Sequence, residues 1–71
     1  MEKIEYIQGV PLLDPEKRKK QNKGTIMTIY LRGAVRYCAT YIDKYGRVRQ
    51  NICSTLERAQ DIMYINGYNQ L

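Results

Sequence analysis

The chain has 71 residues, of which 44% are hydrophobic and seven are tyrosines. A chain of this length buries only about 60% of the surface that it exposes when unfolded, so the sequence allows one small domain and excludes a large enzyme with an enclosed active site. Twelve lysines and arginines against seven acidic residues give a net charge of +5, which fits a polyanionic partner without requiring one.

The two cysteines indicate which metal sites, disulfides and cellular compartment the sequence allows. Cys38 and Cys53 are the two cysteines, and the chain has no histidine. Because they form no C-x-x-C pair, neither a zinc site nor a disulfide framework is expected, and a reducing cytosol is favoured. No apolar run approaches the roughly 18 residues of a membrane span or resembles a secretory leader. We therefore expect a cytoplasmic protein with no metal, no other cofactor and no membrane partner.

Catalytic residues have little support in the sequence. Ser54 is the single serine, and no histidine is present to activate it. This serine is expected to cap a helix, and Glu57 and Asp61 are expected to form the solvated side of that helix. The sequence therefore predicts a binding protein with no catalytic residue, not an enzyme.

Residues 1–24 are expected to form a flexible basic arm that precedes the folded domain. Between Asp14-Pro15 and Gly24, which are helix start and stop signals, the segment KRKKQNK has no apolar face. Such a segment is too short to be a stable helix alone, so it is expected to fold only on a partner. Its cations are candidate phosphate contacts: Lys17, Arg18, Lys19, Lys20 and Lys23. The alternative is a solvated charged segment.

A period-two alternation of apolar and polar residues begins at Thr25. It predicts three strands, over residues 25–32, 34–43 and 47–53. The last two are joined by Asp43-Lys44-Tyr45-Gly46, which predicts a three-residue hairpin loop with its glycine in the left-handed region.

This loop fixes a strand register, in which Ile42 lies opposite Val48 and Tyr41 lies opposite Arg49. The register separates two faces of the sheet. One face is expected to be the core, with Cys38, Thr40, Ile42, Val48, Gln50 and Ile52. The other is expected to be a basic, aromatic surface, here called the Tyr/Arg face: Tyr30, Arg32, Tyr37, Tyr41, Arg47, Arg49 and Asn51. Ala39, Asp43 and Cys53 are expected on the same side.

A single helix is predicted after the third strand. Ser54-Thr55-Leu56-Glu57 has the pattern of a capping box with Ser54 as the cap, and Asn66-Gly67 supplies the end, so the helix covers about residues 55–66. Its apolar stripe is expected to cover the core face: Leu56, Ala59, Ile62 and Met63. The predicted fold is an α+β domain over residues 25–71, a three-stranded antiparallel sheet packed on one C-terminal helix, with a basic N-terminal arm.

The Tyr/Arg face is the candidate nucleic-acid-binding surface. Arginine binds guanine with two hydrogen bonds, asparagine binds adenine in the same way, and a narrow sheet fits the major groove, which is about 12 Å wide. The candidate residues on it are Arg32, Tyr37, Tyr41, Arg47, Arg49 and Asn51. The alternative is a solvated face on which tyrosines and arginines pair across strands.

A family resemblance is carried by Y-C-A-T-Y-I-D-K-Y-G-R-V-R-Q at 37–50 and T-L-E-R-A-Q at 55–60. These segments resemble the amino-terminal arm-binding domain of tyrosine-recombinase integrases from phages and conjugative transposons, and are similar to the plant ethylene-response (APETALA-type) DNA-binding domain. In that family the sheet lies in the major groove and the helix backs it. The resemblance implies base and phosphate contact by Arg32, Tyr37, Tyr41, Arg47 and Arg49. The tryptophan of the plant type's second strand is absent here.

Two functions therefore follow from the sequence. The first is binding of double-stranded DNA, as a regulator or recombination accessory factor of a phage or mobile element. The second is a small phage-type inhibitor or adaptor that binds a host protein or ribonucleoprotein through the same Tyr/Arg face, since tyrosine and arginine are also enriched in protein interfaces.

Overall fold

An antiparallel sheet and one helix make up the described part of the chain, residues 2–9 and 21–71 of a computed structural model. The elements are β1 (Lys3–Gln8), β2 (Lys23–Leu31), β3 (Ala34–Ile42), β4 (Val48–Cys53), α1 (Leu56–Ile65) and β5 (Tyr68–Gln70). The predicted α+β class, with one helix on an antiparallel sheet, is confirmed. The sheet has five strands, however, and not three.

The two additional strands come from the ends of the described chain. The strand order is β4-β3-β2-β1-β5, so β1 lies between β2 and β5, and α1 leads from one edge of the sheet to the other. Residues 3–8 and the start of β2 at Lys23 and Gly24 are therefore part of the sheet and not of an arm that precedes it. The predicted arm cations Lys17–Lys20 lie outside the described residues.

The predicted β3–β4 hairpin is confirmed in detail. Ile42 pairs with Val48, and the register continues without a slip to the end of β4. The loop has the expected bonds, because Gly46 N donates to Asp43 O at 3.0 Å and Asp43 N donates to Arg47 O at 2.9 Å. Gly46 has a φ of +79°, the left-handed conformation that the sequence predicts.

The helix begins one residue later than predicted. Thr55, and not Ser54, is the N-cap, and its side-chain oxygen accepts a hydrogen bond from Arg58 N at 3.2 Å. The capping box with Glu57 is therefore wrong, although either hydroxyl suits the position. Asn66 and Gly67 end the helix as expected, with a φ of +81° at the glycine.

The helix covers the opposite face of the sheet from the predicted one. The predicted apolar stripe is correct, since Ala59 and Met63 are buried and Leu56 and Ile62 are partly buried against the core. The core cluster, however, is built on the Tyr/Arg side of the sheet: Tyr6, Ile26, Ala39, Tyr41, Cys53, Ala59, Met63 and Tyr68. The residues predicted to be the core face lie on the side turned away from α1: Cys38, Thr40, Ile42, Val48, Gln50 and Ile52.

Two physical features favour this side of the sheet. Ala39 and Ala59 are fully buried, and their small side chains allow the helix and sheet backbones to approach closely. The predicted core face would instead have placed the polar side chains of Thr40 and Gln50 under a helix, at a cost in unsatisfied hydrogen bonds.

No helix within residues 2–9 and 21–71 is long and apolar enough to cross a membrane.

Candidate nucleic-acid interface

Three of the predicted contact residues belong to the layer between sheet and helix. Tyr41 is 9% exposed, and its ring meets that of Tyr68 edge-on with centroids 6.3 Å apart. Asn51 Nδ2 donates to Tyr41 Oη at 2.7 Å, and Tyr37 is partly buried against the same core. In this arrangement the tyrosine rings pack the core, and neither Tyr41 face is available to stack on a base.

The β3–β4 loop holds two of the predicted arginines around one carboxylate. Asp43 Oδ1 accepts from the backbone nitrogens of Tyr45 and Arg47, each at 2.9 Å. Asp43 Oδ2 accepts from Arg49 Nε at 2.8 Å. The bond from Arg49, with those from the two backbone amides, lowers the pKa of the Asp43 carboxyl below its ordinary value. Asp43 therefore stays ionised, shapes the loop and neutralises Arg49.

Arg32 lies at the other end of the sheet, in the two-residue turn between β2 and β3. It has a φ of +53° and Gly33 a φ of +77°, which are the left-handed conformations of a type I′ hairpin turn. Arg32 is exposed, and within residues 2–9 and 21–71 its side chain makes no hydrogen bond or ion pair. A non-glycine residue in this conformation is strained.

The strain at Arg32 gives a first testable prediction. Asparagine adopts the left-handed region more readily than arginine, so Arg32→Asn is expected to raise the free energy of unfolding by up to about 1 kcal/mol. Urea denaturation measures this as a higher midpoint. Arg32→Ala, which removes the same charge without the local preference of asparagine, is the control and is expected to match the parent. An asparagine variant that is no more stable than the alanine variant would contradict the strained turn.

The predicted contact arginines do not form one cluster. Arg32 and Arg47 flank opposite ends of β3, whose nine residues span roughly 27 Å at about 3.4 Å per residue. Lys23 begins β2 and is exposed. Whether any of these residues contacts nucleic acid stays a prediction.

The surface that the sequence did not select is the face of the sheet turned away from α1, here called the open face. It holds alternate residues of four strands, of which Ile7 is buried: Lys3, Glu5 and Ile7; Lys23, Thr25, Met27, Ile29 and Leu31; Arg36, Cys38, Thr40 and Ile42; Val48, Gln50 and Ile52. The sequence alternation groups the members from β3 and β4 correctly, but it predicts that they form the core.

The open face is organised in rows across the strands. Gln50, Thr40 and Thr25 are directly paired neighbours and form a polar row across β4, β3 and β2. The next row is apolar and consists of Ile52, Cys38 and Met27. Adjacent strands are about 4.8 Å apart, so each row spans roughly 10 Å between its outer backbones.

Charge is distributed unevenly between the two sides of the sheet. The open face has three cations, Lys3, Lys23 and Arg36, against the single anion Glu5, which lies 3.9 Å from Lys3 Nζ. The outer side of α1 has the reverse balance, because its charged residues are Glu57, Arg58 and Asp61. The described part of the open face is therefore net positive and the helix net negative.

Comparison with known proteins gives no relative: no family model, curated protein or solved structure matches the chain. The resemblance to integrase arm-binding and APETALA-type domains stays a prediction. In the described ranges, no three histidine, cysteine or acidic side chains are grouped so that they could hold a metal ion.

Proposed function

We propose that this protein binds double-stranded DNA through the open face. The observation that carries the proposal is the charge asymmetry of the sheet. Cations lie on the open face at Lys23 and Arg36 and at the adjoining turn at Arg32, whereas the acidic residues Glu57 and Asp61 lie on the helix side. A duplex approaching the open face meets positive potential. On the helix side, by contrast, Asp43, Glu57 and Asp61 offset the three arginines there: Arg47, Arg49 and Arg58.

The dimensions and polar groups of the open face also suit a groove. The backbones of β2, β3 and β4, the three strands at one edge of the five-stranded sheet, span roughly 10 Å, close to the 12 Å or so of the major groove. At the centre of the face, the Gln50 amide and the hydroxyls of Thr40 and Thr25 offer donors and acceptors to base edges. Methyl groups of Met27 and Ile52 beside them suit contact with thymine. Arg32 and Lys23 then contact phosphates.

A salt-dependent titration tests this proposal. Binding of a fluorescently labelled random-sequence duplex is followed by anisotropy at about 50 mM and about 200 mM salt, and log affinity is expected to fall linearly with log salt. Arg36→Ala and Lys23→Ala are each expected to weaken binding and to reduce the salt slope by about one for each phosphate contact removed. An affinity that does not change with salt would contradict DNA binding.

The matched control for this experiment is on the helix. Arg58→Ala removes the same charge from the exposed side of α1, so it is expected to leave both affinity and slope close to the parent. If this variant loses as much affinity as Arg36→Ala, net charge alone governs binding and the open face is not the site. Arg32→Asn is a further variant, which is expected to be more stable than the parent. Any loss of DNA affinity in this variant therefore does not come from unfolding.

Exposed apolar side chains favour a second candidate, a protein-binding adaptor. Leu31 is 45% exposed, Val48 67% and Ile52 56%, all three on the open face. Exposed apolar side chains on one face of a sheet are typical of protein interfaces. Leu31→Gln separates the two functions, because it should abolish capture of a protein partner and leave duplex affinity nearly unchanged.

A further inference from the structure

The outer edge of β4 is unusually accessible for pairing. β4 is the terminal strand of the sheet, and in the part of the chain that the structure describes no strand lies beyond it. It has six residues, V-R-Q-N-I-C, without the proline or lysine that commonly protects such edges. The opposite edge, β5, has only three residues. An unprotected edge of this length is a template for another strand.

The backbone groups that point outward from β4 follow from the hairpin. Asp43 and Arg47 form a hydrogen-bonded pair, since Asp43 N donates to Arg47 O. Bonded and non-bonded pairs alternate along an antiparallel ladder, so Val48, Gln50 and Ile52 direct their N–H and C=O groups away from β3. The other side of the ladder agrees with this phase, because Ile42 N, opposite Val48, points away from β4 to the hydroxyl of Tyr68.

The same three residues present their side chains on the open face. Val48 and Ile52 are 67% and 56% exposed, and Gln50 between them is exposed. Outward backbone groups and exposed side chains therefore coincide at every second position of the edge.

We propose that the partner of this edge is a second copy of the same strand, in antiparallel pairing about a two-fold axis at Gln50. Strand β4 is self-complementary in this register. Val48 lies opposite the partner's Ile52, Ile52 lies opposite the partner's Val48, and the two Gln50 residues face each other. A shift of the register in either direction leaves at least one of the three outward residues unpaired. In the proposed register, the outward N–H and C=O groups of all three residues are hydrogen-bonded.

Charge does not oppose the pairing on the helix side of β4. There Arg49 lies opposite the partner's Asn51, so no two like charges face each other directly. Arg49 is already neutralised by Asp43 at 2.8 Å. The helix offers no obstruction in the topology, because α1 leads from this edge back across the sheet to β5. The product is a continuous sheet in which the open faces of both copies lie on the same side.

This inference does not depend on the proposed function and is tested without DNA. Directly opposed residues of a bonded pair have Cα atoms about 5.5 Å apart, within the range that a disulfide spans. Gln50→Cys is therefore expected to form a covalent dimer under mild oxidation with copper–phenanthroline, seen on a non-reducing gel. Val48→Cys and Ile52→Cys are each expected to give no covalent dimer alone, because identical residues are then roughly 14 Å apart. An equimolar mixture of these two variants is expected to give the covalent dimer.

The native thiols and the fold are controlled in the same experiment. Cys38 lies directly opposite Ile52 in the same chain and would take Ile52→Cys into an intrachain disulfide, so every variant and the reference chain also carry Cys38→Ser. Covalent dimer is counted above this reference chain, which keeps Cys53. The proposal is overturned if Gln50→Cys cross-links no more than Ile52→Cys, or if the mixture cross-links no more than its components. Sedimentation of the unmodified chain gives a second measurement. Gln50→Pro removes an outward N–H and no hydrogen bond to β3, so it is expected to be monomeric, whereas Gln50→Ala keeps the dimer. Circular dichroism checks that both variants are folded, and equal masses for two folded variants would also overturn the proposal.

Discussion

Gly24→Ala is expected to destabilise the protein by about 3 kcal/mol, at the upper end of the cost of overpacking. A β-carbon at this position would collide with Met63 Cε and would lie 2.9 Å from Thr40 O and 3.1 Å from Tyr68 Cε2. The thioether can move, but the carbonyl belongs to the backbone of the neighbouring strand β3. A small domain has a total stability of roughly 4–10 kcal/mol, so the Tm should fall by more than about 10 °C.

Gly46→Ala is the matched control for this prediction. Gly46 has a positive φ of +79°, and no atom lies within 4 Å of the position that its β-carbon would occupy. The substitution therefore adds conformational strain without a collision, at a cost of about 1 kcal/mol. Thermal melts in which Gly24→Ala is no less stable than Gly46→Ala would show that the core can move away from β2.

Tyr68→Ala is the second substitution with a large expected effect, about 3–5 kcal/mol, because it removes a ring that is 1% exposed. The hydroxyl of Tyr68 accepts from Ile42 N at 3.0 Å and donates to Ile42 O at 3.2 Å. These bonds replace pairing with β2, because the β2–β3 ladder ends at Thr25 and Thr40, before it reaches Ile42. Tyr68→Phe keeps the ring but leaves both backbone groups without that partner, so a loss of about 1–3 kcal/mol is expected.

Urea denaturation of Tyr68→Ala and Tyr68→Phe separates the contribution of the Tyr68 ring to stability from that of its hydroxyl. Tyr64→Phe is the control, since Tyr64 is 76% exposed and its hydroxyl bonds to no residue in the described ranges. Its midpoint is expected to equal that of the parent. If Tyr68→Phe also melts like the parent, water replaces the hydroxyl at the end of β3 and the bond has no net value.

The β3–β4 hairpin and the helix could be predicted from local sequence patterns. The β3–β4 loop depends on Asp43 and Gly46, the first and last residues of one four-residue turn. A loop of fixed length sets the register of the strands that it joins. The helix depends on an apolar stripe and on caps at its two ends. In each case the residues that determine the structure are close in sequence, so their pattern is sufficient.

The covered face depends instead on distant residues and could not be derived from alternation. Periodicity tells which side chains share a face, but both faces of this sheet contain apolar residues. The choice is made by Tyr6 in β1, Ile26 in β2 and Tyr68 in β5, which all add their side chains to the helix side. Tyrosine also has a ring that packs and a hydroxyl that binds, so its presence beside arginine did not distinguish a surface from a core.

The candidate site was affected by the same ambiguity. Because Tyr41 and Asn51 share a face with Arg49, they were predicted to meet a ligand together, yet Asn51 satisfies the buried hydroxyl of Tyr41. The polar row centred on Thr40 was overlooked because two isoleucines, Ile42 and Ile52, lie near it on the same face. A buried hydroxyl with a partner and an exposed isoleucine are distinguished only by the packing of the whole sheet.

The position of β1 has a consequence for synthesis on the ribosome. Tyr6 in β1 pairs with Gln70 in β5, so β1 acquires one of its two neighbours after the other strands of the described sheet have been made. Until residues 68–70 have left the exit tunnel, the nascent chain holds β1 as an unpaired edge. Pairing of such high contact order is slow, and docking of Tyr68 under α1 completes the core and the sheet together. Emergence of residues 68–70 is thus the step that commits the described sheet to its native state.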